Sequence, residues 1–242
     1  MKIVGVIPAR YSSSRLPGKP LVDICGKPMI WWVYNQAKKL NDLSEVIVAT
    51  DDKRICDVCE ELNIQYMLTS DKHRTHIERL HEVSEKIDAD LYLCICGDEP
   101  LIKPEVIEKV IPTAMEDITV SVLMREFTEP TEVIDPGNIK ITTNAENICI
   151  SLSRSPIPFP YKTIEYKYKK IVGVECYNKK ALDFFASTQP GVIEKIEDIT
   201  LLRFLENGIK MKFNLVETNA LSVDTMKDLE KVRNILAKRM GK

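Results

Sequence analysis

Three cations, Arg10, Arg15 and Lys19, sit close together in the stretch Pro8-Ala9-Arg10-Tyr11-Ser12-Ser13-Ser14-Arg15-Leu16-Pro17-Gly18-Lys19. They are interleaved with serine hydroxyls and with backbone N–H groups that no helical or strand periodicity claims. Guanidinium and ammonium donors among hydroxyls and free amides are the chemistry of a polyphosphate cradle. The order is neither a Walker A loop nor a G-x-G-x-x-G turn. A basic surface loop has the same composition, so position has to decide. The stretch follows Ile3 to Ile7, an apolar β-branched run that suits a central parallel strand ended by Pro8. Ligands bind at the carboxyl ends of such strands.

Two carboxylates extend the argument. The apolar run Asp90 to Cys96 predicts a buried strand, and Gly97-Asp98-Glu99-Pro100 follows it. Asp98 is then expected on the same sheet edge as the cradle, suited to a divalent cation that bridges phosphates. Magnesium is held by one or two carboxylates together with substrate oxygens. A tight turn uses the same residues. Asp224, in Val223-Asp224-Thr225 before an amphipathic run through Leu229, Val232 and Leu236, is either the N-cap of that helix or a second ligand. It serves both roles only if its carboxylate faces the sheet edge.

The elements that must position these groups alternate. A helix with Ile30, Val33, Ala37 and Leu40 starts at Pro28, and a strand spans Glu45 to Thr50. A helix capped from Asp51-Asp52 carries Ile55, Cys59 and Leu62, a strand spans Gln65 to Leu68, and a helix follows from Ile77. A β-α-β-α series predicts a mostly parallel central sheet with helices on both faces. Further helices are expected at Pro104 to Met115, Ala181 to Ser187 and Glu194 to Glu206, the last closed by Asn207-Gly208. Strands are expected at Thr119 to Met124, Ile171 to Tyr177 and Lys212 to Val216, with a hairpin or meander over Ile139 to Thr142 and Ile148 to Ser153. Tyr161 to Lys170 alternates Lys with Tyr and Thr and reads as an exposed edge strand.

A chain of 242 residues fits one large α/β domain over 1–242, with about 125–178 forming an excursion from the sheet. At a net charge of −2 there is no bulk field for nucleic acid or an anionic membrane, so the ligand should be small. Met1-Lys2-Ile3 runs directly into the first strand without a leader pattern, and no apolar stretch approaches roughly 18 residues. The seven cysteines are expected as reduced thiols in the cytoplasm, with Cys56 and Cys59 as packing residues.

The order P-A-R-Y-S-S-S-R-L-P-G-K-P-L resembles the N-terminal signature of the CMP-Kdo synthetase family of sugar-activating cytidylyltransferases, and the similarity runs from Ile3 to about Val232. The resemblance implies a Rossmann-like, GT-A-type nucleotidyltransferase fold that transfers CMP from CTP to an oxygen of a small acidic acceptor for a surface glycan. It also implies that Pro8, Ala9, Arg10, Ser13, Arg15, Lys19, Arg79 and Gly97 bind the nucleotide, with Arg10, Lys19 and Asp98 catalytic. Asp98 and Asp224 would hold Mg²⁺, since G-D-E-P and V-D-T match the family at its metal carboxylates. Family members are commonly dimers, and Tyr161 to Lys170 is the expected contact.

His73, Glu78 and Arg79 fit the family's H-x-S-G-T-E/D-R, but His76-Ile77 replaces Gly-Thr where that loop approaches the nucleotide base. On residue types alone Arg79 is equally a surface partner. The match weakens further on the acceptor side. Arg154 matches the family's S-R-x-x-I-P arginine, which reaches the sugar acid. Cys96 stands where Gln is usual, Ile171 and Glu175 where the family has its His and first Tyr, and Thr200-Leu201 where an acidic-amide pair is usual. Glu175 is expected to repel an acceptor carboxylate unless Arg154 or a lysine offsets it. The expectation is an acceptor other than ordinary 3-deoxy-manno-octulosonate (Kdo): a different sugar acid, or a smaller phosphorylated or amino-bearing precursor; the alternative is that Kdo itself is accepted. An NAD-dependent oxidoreductase shares the sheet but needs a Gly-rich fingerprint that is missing here. A regulatory protein on the same fold has no need of both carboxylates and all three cations.

Overall fold

The computed structural model describes residues 1–13 and 15–241, so Ser14 of the expected cradle lies outside the described residues. Strand β1 (Ile3–Ala9) is buried nearly throughout because its alternating side chains meet two apolar layers. Ile3, Ile7 and Ala9 enter one layer, and Val4 and Val6 enter the other. After the short hairpin β2 (Asp23–Ile24) and β3 (Lys27–Pro28) come β4 (Glu45–Thr50), β5 (Tyr66–Leu68) and β6 (Leu91–Ile95). Next are β7 (Val120–Glu126), β8 (Lys140–Thr143), β9 (Cys149–Ser153), β10 (Lys169–Tyr177) and β11 (Lys212–Leu215). The main sheet has the order β11-β7-β10-β6-β1-β4-β5, with β8 added to β10 and β9 to β8. It is mixed but mostly parallel, as expected; β10 runs against both β6 and β7.

Helices cover both faces. On one lie α1 (Met29–Ala37), α2 (Lys53–Glu61) and α4 (Pro104–Ile107), which bury Ile30, Val33, Ile55, Cys59, Val106 and Ile107. On the other lie α3 (His76–Lys86), α6 (Lys179–Ser187) and α8 (Leu202–Glu206), with Leu80, Val83, Phe185 and Phe204 inward. The short α5 (Pro130–Val133) lies in the excursion, and α7 (Val192–Glu197) precedes α8. Helix α9 (Met226–Arg239) sets Leu229, Val232 and Leu236 against Leu16, Ile24 and Met29, which fastens the basic loop to the body. Among the described residues no helix is long and apolar enough to cross a membrane.

Several boundaries differ from expectation for local reasons. Pro8 does not end β1: pairing with β4 continues to Ala9, whereas pairing with β6 stops at Val6, so position 8 behaves as an edge. The helix expected to Met115 gives way to a 3-10 turn at Glu108–Val110, because Pro112 disfavours helical backbone at Ile111. The helix expected over Glu194 to Glu206 is broken at Asp198, which adopts a left-handed conformation with φ 51°. Of Tyr161 to Lys170, only Lys169 and Lys170 are strand; Pro156, Pro158 and Pro160 keep the approach irregular. There β10 overshoots the carboxyl end of β6, and β8 takes the place of β6 beside it. The excursion therefore walls the sheet edge at which β1 and β6 end.

Candidate active site

A cavity of about 680 Å³ opens at that edge, within the size range of small-molecule sites. Its floor is Pro8, Ala9 and Arg10 from the end of β1 and Cys96, Gly97 and Asp98 beyond β6. A Cβ at Gly97 would rest in ordinary contact with the Pro8 carbonyl oxygen at 3.4 Å, so the two strand ends lie side by side there. Ser12, Ser13, Arg15 and Lys19 of the basic loop form one wall. The loop is closed by Gly18, whose φ of 67° favours glycine and whose N–H donates to the Tyr11 carbonyl at 3.0 Å.

Lys19, Asp98 and Asp224 converge from three segments distant in sequence. The Lys19 ammonium donates to Asp98 Oδ2 at 2.7 Å and to Asp224 Oδ1 at 3.0 Å, and Arg15 Nη2 reaches the same Asp224 oxygen at 3.0 Å. Burial works against the charge on Lys19, but the two carboxylates outweigh it and raise its pKa. Asp224 is free for this because it is not the N-cap. Thr225 caps α9 in a capping box with Asp228, and the Val223 N–H donates to the Asp98 carbonyl at 2.8 Å, setting the two carboxylates side by side. Burial, and then the neighbouring Arg79 guanidinium, lower the pKa of Arg10. Next to Asp98, burial pushes the Glu99 carboxyl up to about 7. Glu99 Oε1 accepts from the Gly173 N–H at 2.8 Å, while Oε2 is buried without a partner.

On the acceptor side, Glu175 of β10 lies opposite Cys94 of β6. Its Oε2 accepts from the Tyr177 hydroxyl at 2.6 Å and pairs with His76 Nε2 at 2.7 Å. His76 is the first residue of α3, held there by the Thr75–Glu78 capping box, and it lines the cavity. Burial disfavours the imidazolium, yet Glu175 raises its pKa to about 9. The charge expected to repel an acceptor acid is therefore neutralised, by a histidine rather than by Arg154 or a lysine.

Three expected site residues do not line the cavity: Glu175 is buried behind His76, and Arg79 and Arg154 lie elsewhere. Arg79 is wholly buried beneath the floor, with Nη2 on Asp51 Oδ2 at 2.6 Å and Nη1 on Thr69; it is neither a surface residue nor a cavity wall. Arg154 donates to the carbonyls of Pro136 at 2.8 Å, Asp198 at 2.9 Å and Glu197, so its guanidinium is spent on holding the break between α7 and α8. That break brings Asp198, Ile199 and Thr200 to the cavity. Arg74, Lys195 and Arg203 also line it and carry no signal in the sequence; Arg203 reads as one more helix residue. Its guanidinium is paired with the buried Glu194 at 2.6 Å.

The sheet and its charged edge define a nucleotidyltransferase. A family model described as cytidylyltransferase matches residues 4–213, and the chain belongs to that family. It is 36% identical to the 3-deoxy-manno-octulosonate cytidylyltransferase of Escherichia coli, over 99% of this chain and 98% of that protein. Identity to the protein of the same name from Aliivibrio fischeri strain MJ11 is 40%, over 98% of this chain and all of that one. A solved structure of CMP:2-keto-3-deoxy-manno-octonic acid synthetase complexed with CTP superimposes with a TM-score of 0.93 at 36% identity, covering 99% of this chain and 100% of that one. The inositol-1-phosphate CTP transferase of T. maritima shares the fold, with a TM-score of 0.69 at 18% identity.

Proposed function

We propose that this protein transfers CMP from CTP to a hydroxyl oxygen of a small acidic sugar, releasing pyrophosphate, in the activation of a surface-glycan precursor. The observation that carries the reading is the convergence of Lys19, Asp98 and Asp224 beside Arg10 and Arg15. Transfer to phosphorus asks a protein chiefly for positioning and charge neutralisation. Arg10, Arg15 and Lys19 hold the triphosphate, with Pro8, Ala9, Ser13 and Gly97 around the nucleoside end. The paired carboxylates already share one cation, the Lys19 ammonium, so Asp98 and Asp224 fit Mg²⁺ as its protein ligands. Bound there, Mg²⁺ supplies charge for the transferred phosphate and lowers the pKa of the acceptor hydroxyl. No side-chain base is needed.

The acceptor is a keto sugar acid other than 3-deoxy-manno-octulosonate itself. Support comes from Cys96, Glu175 and Thr200, which stand where the family has other acceptor-side groups; Cys96 and Thr200 line the cavity, and Glu175 lies behind His76. The reaction belongs in the cytoplasm, in keeping with seven cysteines carried as free thiols. The protein acts as a homodimer joined through the excursion, where Phe159, Tyr161 and Ile164 are 80%, 93% and 88% exposed. The test is a screen of pyrophosphate release with CTP, Mg²⁺ and a panel of keto sugar acids and phosphorylated small acceptors. Release with an acid of the panel supports the reading. Efficient turnover of 3-deoxy-manno-octulosonate refutes the acceptor assignment, and no release from any member refutes the transfer itself.

A further inference from the structure

The cations around the cavity differ in how they are committed. Lys19 and Arg15 are engaged with the metal carboxylates, Arg203 with Glu194, and Arg74 and Lys195 are exposed at the rim. His76 is held by the buried Glu175, the β10 residue that stands where the family has an acceptor-facing Tyr. Its Nε2 is 2.7 Å from Glu175 Oε2, which also accepts from Tyr177. Its Nδ1 makes no hydrogen bond to any described residue, and the side chain keeps 27% of its exposure, on the cavity.

We propose that His76 is a specificity-determining residue that binds the acid group of the acceptor through Nδ1–H, with Glu175 and Tyr177 as the positioning residues that aim the ring. This rests on the transfer reading above. An imidazole whose Nε2–H is fixed on a carboxylate can present a second N–H only as the cation, so it donates to an anion and cannot act as the acceptor's base. The groups facing the ring agree with that state. Burial and Arg10 oppose the charge, Glu175 favours it, and the balance lies with the charge. Glu175 thus does not repel the acid; it holds the cation that attracts it. His76 and Glu175 depart from the family pattern as a pair: Glu175 alone would be a buried unpaired carboxylate, and His76 without Glu175 would stay neutral and attract no acid.

The experiment uses wild type, His76→Gln and Glu175→Gln with CTP, Mg²⁺ and the acid of the panel with the highest kcat/KM. His76→Gln should raise the acceptor KM by about 10²-fold, in line with loss of one partner of a buried charge pair, while the CTP KM stays within about 3-fold. The amide of the same acid should lose a comparable factor in wild type and little more in His76→Gln, a coupling that a purely structural histidine would not show. Glu175→Gln keeps the ring but should return its titration, followed by NMR of the imidazole, toward an ordinary histidine and weaken the acceptor in parallel. An unchanged acceptor KM in His76→Gln, or equal losses for acceptor and CTP, overturns the proposal. So does stoichiometric zinc bound through Cys94, whose thiol lies within 4.8 Å of the His76 and Glu175 ligand atoms, because a metal would replace the proton on Nε2. If wild type releases no pyrophosphate with any acid, it is the transfer reading that has failed.

Discussion

At the scale of single residues the site is a set of charges that stabilise one another until substrate arrives. Asp98→Asn is nearly isosteric and should leave the melting temperature close to wild type, but it removes one of two carboxylates and should lower turnover by at least about 10²-fold. Steady-state pyrophosphate release beside a thermal melt checks this, and near-normal Mg²⁺-dependent turnover would refute it. Lys19→Ala should weaken CTP far more than CMP if, as proposed, the ammonium holds the distal phosphates; calorimetric titration of both nucleotides decides, and equal weakening would displace Lys19 from that role. The His76–Glu175 pair makes a prediction about pH. The imidazole rises from 6.5 to about 9 on folding, so its contribution to stability is complete below about 6.5 and is lost as pH climbs through about 9. Glu175, pushed up by burial but pulled lower still by His76 and Tyr177, adds a contribution that is lost as pH falls through its own depressed range. Urea unfolding across pH should show both limbs in wild type and neither in Glu175→Gln. The convergence of the basic loop with Asp98 was legible in the sequence because both lie beyond the ends of β1 and β6, where chain order fixes place; Asp224, which precedes α9, was reached only through the V-D-T resemblance. His76–Glu175 was not legible, since a pair from a helix start and an antiparallel strand far along the chain shares no local pattern.

At the scale of elements, what mattered was how helices begin and break. Asp224 looked equally like a cap and a ligand; the structure gives the cap to Thr225, and the carboxylate one residue earlier is left for the site. Thr225→Ala should therefore cost about 1 kcal/mol of stability through the lost cap while lowering turnover less than Asp224→Asn does. Denaturant midpoints and turnover measured on both variants test that ordering. The alternation of buried strands and amphipathic helices up to β6 was read correctly because each run is long and its period clear. Boundaries failed where a tertiary contact or a proline overrides periodicity, as at Pro112 and at Asp198. In the second case Arg154 supplies the reason: it binds carbonyls on either side of a break that residue types alone do not announce.

At the scale of the whole molecule the sheet separates two tasks. Its parallel half, β6-β1-β4-β5, ends in the basic loop and Asp98, while antiparallel β10 and the β8–β9 addition carry Glu175 and the irregular stretch beyond β9. That division lets β10 change without disturbing the strand ends that carry the basic loop and Asp98. It also leaves Phe159, Tyr161 and Ile164 projecting from a segment whose prolines prevent it from folding back as a strand. Three large apolar side chains so close in sequence and so exposed are costly in a monomer and natural in an interface. Replacing all three with serine should convert a dimer to a monomer on size exclusion with light scattering and leave CTP affinity within about 3-fold of wild type, because none of the three lines the cavity. A wild-type protein that is monomeric at the same concentration would refute the dimer, and a triple variant that remains dimeric would place the contact elsewhere.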